Sequence, residues 1–227
     1  MSKYFYNFFL IIKNINNYGL FTFFYASIVE IFYLLKFYDF KSYLHDNSHT
    51  STYEETKKSL TYNTQHTPTP YFFLSIALKF LKKENYDNFI LIDMGCGYGR
   101  VGKYFNSKLN ILFYGLEINK TLIDSIQINK SQKKNFNLFH IDLRDRDKRE
   151  KIFYEIKKLN KKIVIFFSDP FDIDTIMDVL AFFSNNQHLI IGVNVNNLDK
   201  LTDKYKIEYI KYFKNKLRHV VLLKKNV

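Results

Sequence analysis

Residues 89–100, Phe-Ile-Leu-Ile-Asp-Met-Gly-Cys-Gly-Tyr-Gly-Arg, constrain the fold of this chain more than any other stretch. Phe89 to Ile92 form an apolar run with the length of a buried strand. Asp93 closes it, glycines follow at 95, 97 and 99, and a helical pattern begins around Arg100. A strand that passes through a glycine-rich turn into a helix makes a corner suited to nucleotides. Glycine accepts positive φ and lets a ligand come close to the backbone. The first turn of the helix directs unpaired N–H groups into the same space.

Beyond Tyr62 the chain repeats the alternation that this corner begins. Apolar runs predict strands over 89–93, 111–116, 136–141, 162–168, 188–194, 206–213 and 218–224. Amphipathic stretches predict helices over 72–84, 99–107, 119–131, 145–159 and 172–184. Such βαβ alternation implies an α/β fold, with a parallel sheet and helices on both faces. Only a short polar turn near Asn215 and Lys216 separates the last two strands, so they are expected to form an antiparallel hairpin.

The part before residue 60 has a different character. Residues 1 to about 44 are rich in Phe, Leu, Ile and Tyr, and His45 to about residue 60 reads as a polar linker. The expected division is therefore an N-terminal helical extension with its linker, 1–60, and a main domain, 61–227. Leu20–Leu35 is nearly a membrane span in length, but Glu30 lies well inside it. A signal peptide fits poorly, because Lys13 closes the first apolar run early and no small-residue cleavage site follows. Two readings remain: helices packed on the main domain or a partner, which is favoured, and an interfacial helix on the inner membrane face.

Composition limits the partners. The formal net charge is +12, which raises nucleic acid and anionic membranes as candidates. The basic residues are almost all Lys, and Lys, Asn, Ile, Phe and Tyr are abundant together, as in proteins of AT-rich genomes. Arginine, the better bidentate phosphate ligand, is scarce, so the charge is read mostly as background and nucleic acid as the weaker partner. The lone cysteine, Cys96, excludes an internal disulfide and fits a reducing, cytoplasmic setting. Placed inside the glycine turn, it is read as a space-filler. The six histidines show no metal spacing, no metal is expected, and His140 is read as a satisfied histidine.

In open α/β sheets ligands bind beyond the carboxyl ends of the strands, so the residue closing each predicted strand carries the chemistry. The first strand ends at Asp93. The second ends at Glu117, about twenty residues past the glycines, where an acid can accept both hydroxyls of a ribose. The third ends at Asp142, where an acid can accept from an adenine amino group. The fourth ends in Ser168-Asp169-Pro170-Phe171. Each acid alone could be a helix N-cap, Asp142 and Asp169 in particular. Gly97-Tyr98-Gly99-Arg100-Val101-Gly102 also matches the dinucleotide pattern GxGxxG literally. That register needs a strand running through Asp93-Met94-Gly95-Cys96, and Gly102 fits better as a close contact between helix and sheet.

The order Asp-x-Gly-x-Gly-x-Gly, followed by acids at 117 and 142, resembles the class I S-adenosylmethionine-dependent methyltransferases. Their Rossmann-like seven-stranded sheet, mostly parallel and ending in an antiparallel hairpin, is the fold this implies. Tyr62 to Tyr71, with Thr67-Pro68-Thr69-Pro70 at its centre, is similar to the segment that leads into the domain in a group of small bacterial methyltransferases, mostly of unassigned substrate. Asp169-Pro170-Phe171 resembles that group's Asn-Pro-Phe, and Tyr18-Gly19-Leu20 its helical extension. The resemblance implies S-adenosyl-L-methionine as cofactor. It implies that Asp93 and the turn of Gly95, Cys96, Gly97 and Gly99 hold the methionine end, and that Glu117 and Ile118 serve the ribose side. Asp142 and Leu143 then serve the adenine, Thr67 closes over the cofactor, and Asp169 is the catalytic or acceptor-side group. Tyr62 and His66 lie where an acceptor lid could sit. Asp169-Pro170-Phe171 lacks the second proline of the amino methyltransferases of adenine and glutamine. The expected acceptor is therefore an O or N atom of a small molecule, glycan or protein amine. The alternatives are a nucleic-acid amino methyltransferase and a non-catalytic binding module. An exposed aromatic N-terminal helix would also invite pairing into a homo-oligomer.

Overall fold

The computed structural model of the chain describes residues 15–16, 18–37, 68–86, 88–126, 133–168, 173–184, 188–195, 197–214 and 218–225. Helix α1 (Leu20–Phe37) precedes helix α2 (Tyr71–Lys83). The alternating part then runs β1 (Asn88–Met94), α3 (Arg100–Asn106), β2 (Asn110–Glu117), α4 (Lys120–Asp124), β3 (Phe136–His140), α5 (Arg146–Lys158) and β4 (Ile163–Ser168). It continues with α6 (Ile173–Phe182), β5 (His188–Val193), α7 (Leu198–Thr202), β6 (Tyr205–Tyr212) and β7 (His219–Lys225).

The seven strands form one sheet in the order β3-β2-β1-β4-β5-β7-β6. The first five pair in parallel, and β7 runs antiparallel between β5 and β6. This is the expected mixed sheet with its terminal hairpin; the turn expected at Asn215 and Lys216 lies outside the described residues. Because the chain leaves β1 toward β2 on one side and returns to β4 on the other, the order reverses beside β1. That is where open α/β sheets leave a crevice.

Both sheet faces are covered, which is why the central strands read as continuous apolar runs rather than alternating ones. Phe89 and Leu91 of β1, Val164 and Phe166 of β4, and Leu189 and Ile191 of β5 face the core shared with α1, α2 and α3. Ile90, Ile92, Ile163, Ile165, Phe167 and Ile190 face the opposite core, closed by Phe153 and Ile156 of α5 and by Ile176, Val179 and Leu180 of α6. Arg149 of α5, almost fully buried, joins the two helices on that face: it ion-pairs with Asp178 and donates to the Leu143 carbonyl at 2.6 Å.

Two elements differ from the sequence expectation. Helix α4 ends at Asp124 where a helix over 119–131 is expected, with Ser125 N–H closing the last turn on the Thr121 and Leu122 carbonyls. The remainder, 127–131, lies outside the described residues. The five-residue α7 is absent from the expectation, being too short to show a 3.6-residue period.

Helix α1 is fastened to the domain along one face. Val29, Tyr33, Leu34 and Phe37 pack on the core. Tyr33 meets Tyr104 edge-on with ring centroids 5.0 Å apart, and lies 5.2 Å from Tyr71. Such aromatic pairs contribute about 0.5–1.5 kcal/mol each beyond their area. Glu30, the acid inside the apolar run, turns inward. Its Oε1 accepts from Arg100 Nη1 at 2.5 Å and its Oε2 accepts from Tyr71 N–H, at the start of α2, at 2.7 Å. Along this face α1 is therefore packed on the main domain. Residues 1–14 and the linker at 45–60 lie outside the described residues.

Candidate cofactor site at the strand ends

The glycine turn is built as its composition demands. β1 stops at Met94, and the backbone then turns through Gly95 (φ 74°), Gly97 (φ 51°) and Gly99 (φ 68°). All three lie in the left-handed region that L side chains avoid. Gly95 and Cys96 both donate to the Leu116 carbonyl, at 2.8 and 3.0 Å, and Gly99 N–H donates to the Cys96 carbonyl at 2.8 Å. The turn is thus tied to the end of β2. No dinucleotide register survives, because β1 stops at Met94 and does not continue through Gly95 and Cys96. Gly102 instead lets α3 rest on the sheet: a Cβ there would lie 2.7 Å from the Phe113 ring.

Cys96 fills space, as expected. It is buried over Gly115 of β2, where a Cβ would come within 2.8 Å of its sulfur. Burial pushes the thiol well above its ordinary pKa, and the nearby Asp93 and Glu117 carboxylates push it further. A thiol held neutral in this way is a poor nucleophile.

Two acids converge under the turn. Asp93, opposite Gly115 on β2 and Phe166 on β4, is 2% exposed. Its Oδ2 has no hydrogen-bond partner and no cation pairs with it among the described residues. Burial raises its pKa well above the usual carboxylate range, and Glu117 adds to the shift. Glu117, at the end of β2, accepts from Gly97 N–H through Oε2 and from Asn119 N–H through Oε1, each at 2.9 Å. Burial raises its pKa too, against these two bonds and the nearby His140. His140 itself bonds the Ile118 carbonyl through Nε2 at 2.9 Å, the satisfied role expected of it.

Asp142 lies just past β3 and is partly exposed. It does not cap the following helix: Asp145 does, accepting from Lys148 N–H at 3.2 Å. The Arg144 guanidinium and backbone N–H instead engage Asp142, at 2.7–3.1 Å, and hold its carboxyl below the ordinary value. Leu143 is buried beside it and Ile118 is exposed at the end of β2. The structure therefore brings Asp93, Gly95, Cys96, Gly97, Gly99, Glu117, Ile118, Asp142 and Leu143 to the carboxyl ends of β1, β2 and β3. Thr67, Asp169, Tyr62 and His66 lie outside the described residues.

One part of the site escapes the sequence. Arg100, the first residue of α3, donates to the Thr69 carbonyl at 3.3 Å as well as to Glu30, and its guanidinium stands 4.5 Å from the Tyr71 ring. The Pro-flanked segment and α1 are thereby locked to the helix that leaves the glycine turn. The only sequence clue was a lone acid in an apolar run, which implies a buried partner.

The residues present suit a nucleoside bearing a cationic tail. Asp93 offers a buried carboxylate oxygen with nothing to accept from, Glu117 keeps acceptor capacity for hydroxyls, and the three left-handed glycines of the turn carry no side chain.

No protein-family profile and no curated protein matches the chain. Solved structures do. A Pyrococcus horikoshii protein proposed to be an RNA methyltransferase shares 13% identity over 77% of this chain and 97% of its own, at a TM-score of 0.50. A Thermoplasma acidophilum protein gives 13% identity over 77% and 97%, at 0.48. An RNA methyltransferase from Salinibacter ruber, solved with S-adenosyl-L-homocysteine, gives 11% over 71% and 95%, at 0.47. At such identities the likeness is one of fold, and that fold is the Rossmann-like one of the class I methyltransferases.

Proposed function

We propose that this protein is an S-adenosyl-L-methionine-dependent methyltransferase that transfers a methyl group to an O or N acceptor. The observation that carries the reading is the unpartnered, fully buried Asp93 oxygen beneath a turn of three left-handed glycines, next to Glu117. The bound cofactor would supply an electrophilic methyl group on a sulfonium. Asp93 would accept from the cationic amino group of its methionine end, and Gly95, Cys96, Gly97 and Gly99 would let that end lie against the backbone. Glu117, already oriented by two backbone N–H donors, would accept from the ribose hydroxyls, with Ile118 beside it. Asp142 would accept from the adenine amino group next to Leu143, and Thr67 would close over the site.

In-line displacement takes most of its acceleration from alignment in a closed site. A base is needed only where the acceptor must lose a proton. Asp169 is the proposed group for that role, following β4 where an acceptor would meet the methyl. Acceptors proposed on this basis are small molecules, glycans and protein amines. An RNA acceptor is the competing reading, supported by the net charge of +12 and by what is proposed for the Pyrococcus protein. It predicts affinity that falls steeply with salt.

The test is calorimetric titration of the protein with S-adenosylmethionine and S-adenosylhomocysteine, beside Asp93→Ala. Saturable binding that the variant loses supports the reading. Folded wild-type protein that binds neither ligand overturns it.

A further inference from the structure

Helix α1 is apolar on two faces, and among the described residues only one of them packs on the domain. The other carries Leu20, Phe21, Phe24, Ile28, Ile31 and Leu35, each between 50% and 89% exposed. At 100° per residue these fall, with Tyr25 and Phe32, in one stripe about 140° wide. The helix has 18 residues and a mean hydropathy of 1.6, enough in length and composition to cross a membrane. Its docking argues otherwise. The inner face, carrying Val29, Tyr33, Leu34 and Phe37, lies on the domain, and Glu30 is bonded to Arg100 and the α2 backbone. The helix therefore runs along the protein surface and presents the stripe sideways.

Charge selects what the stripe meets. Glu30, the only acid on α1, points inward, so the outward face has no negative group. Lys36 and Lys108 both lie within 6 Å of the Tyr33 ring, near the C-terminal end of the helix. Residues 1–37 carry Lys3, Lys13 and Lys36 against Glu30, in a chain of net charge +12. An apolar stripe without a negative group, with Lys36 at its C-terminal end in a chain of net charge +12, suits the headgroup and acyl boundary of an anionic bilayer. A second copy would bring the same positive charge against itself.

We propose that α1 seats this protein on an anionic membrane surface, with the helix in the plane of the interface and its Leu20–Leu35 stripe inserted. The inference does not rest on methyl transfer. The experiment is sedimentation of the full chain with vesicles of equal parts phosphatidylcholine and phosphatidylglycerol, and with phosphatidylcholine alone. Phe21→Glu/Ile28→Glu is the comparison, because both side chains project outward and their replacement leaves the docked face intact. Wild type should pellet with the mixed vesicles and less with the neutral ones. The double variant should lose about tenfold or more in partitioning at an unchanged thermal midpoint. Three results would each overturn the proposal. In one, wild type fails to pellet with the mixed vesicles or the variant matches it. In another, light scattering finds a wild-type dimer that the variant dissociates, so a second copy covers the stripe. In the third, the variant melts at a lower temperature, so the chain itself covers it.

Discussion

Glu30 and Asp93 are both carboxylates drawn out of water, and the fold treats them oppositely. Glu30 gives one oxygen to Arg100 and the other to the Tyr71 N–H. Asp93 is more deeply buried and leaves an oxygen with no donor. Buried polar groups are normally paired, so an exception needs a reason. The contrast separates two uses of a buried charge. Where the chain must fasten a helix, it completes the charge itself. Where the proposed cofactor would complete it, the chain would carry the cost of leaving it incomplete.

The contrast breaks most directly at Glu30. Glu30→Ala would take the Glu30 carboxylate from Arg100, 3% exposed, and the Glu30 Oε2 acceptor from the Tyr71 N–H at the start of α2. Removing one partner of a buried pair costs about 3–5 kcal/mol, so the urea midpoint should fall sharply. Replacing both partners, Glu30→Leu with Arg100→Met, should recover much of that loss, because the buried ion pair is then removed as a whole. A loss under about 1 kcal/mol for Glu30→Ala, the value of a surface pair, would show that the clasp is not a fastening.

A second substitution tests whether α3, which carries Arg100, has only one seat on the sheet. In Gly102→Ala the new methyl would meet the Phe113 ring at 2.7 Å. Overpacking of this kind costs about 1–3 kcal/mol, and chemical denaturation reads it directly. A neutral result would mean that the Phe113 ring yields and that α3 has latitude over the strand ends.

At Asp93 the expected change has the opposite sign. Asp93→Asn removes a carboxylate whose folded pKa lies well above 3.8. In that situation the folded protein binds more protons than the unfolded chain, so stability is lost as pH rises from the unfolded value through the folded one. The variant escapes this loss. It should equal wild type in acid and exceed it by about 1 kcal/mol at neutral pH, while losing cofactor binding. Wild-type affinity for S-adenosylmethionine should rise across the same pH window, since the cationic ligand prefers ionised Asp93. Thermal melts and titrations as a function of pH measure both, and a variant less stable than wild type at neutral pH would contradict the reading of Asp93 as an uncompensated charge.

The same contrast explains what the sequence made legible. The strand ends could be read because their chemistry is local. Asp93, the glycines, Glu117 and Asp142 each sit at a fixed offset from an apolar run, and the sheet then brings those offsets together. The clasp could not be read, because Glu30 and Arg100 are 70 residues apart and nothing in either neighbourhood names the other. Cys96 and Gly102 fell between. The residue types suggested close packing, but only the fold shows that their neighbours are Gly115 and Phe113. Helix α7 was lost for a simpler reason, since five residues show less than two turns of periodicity. The cap at Asp145 rather than Asp142 was equally open in sequence, three residues apart, until the helix start was placed.

Asp142 is the intermediate case, and the smallest effect is expected there. Like Glu30 it is paired, but the pair is exposed: its own side chain is 37% accessible and that of Arg144 43%. Arg144→Ala should therefore change stability by less than about 1 kcal/mol. Its effect on binding is more informative. The Arg144 Nε reaches both Asp142 oxygens and Nη2 reaches Oδ2, so an adenine amino group would have to share an acceptor already engaged. If Arg144 competes, its removal frees the carboxylate and tightens S-adenosylhomocysteine by about twofold, the worth of one modest hydrogen bond. Asp142→Ala should weaken the same ligand. If Arg144→Ala weakens it instead, the guanidinium orients Asp142 rather than occupying it, and Asp142 belongs with Glu30 among the charges the chain completes for itself.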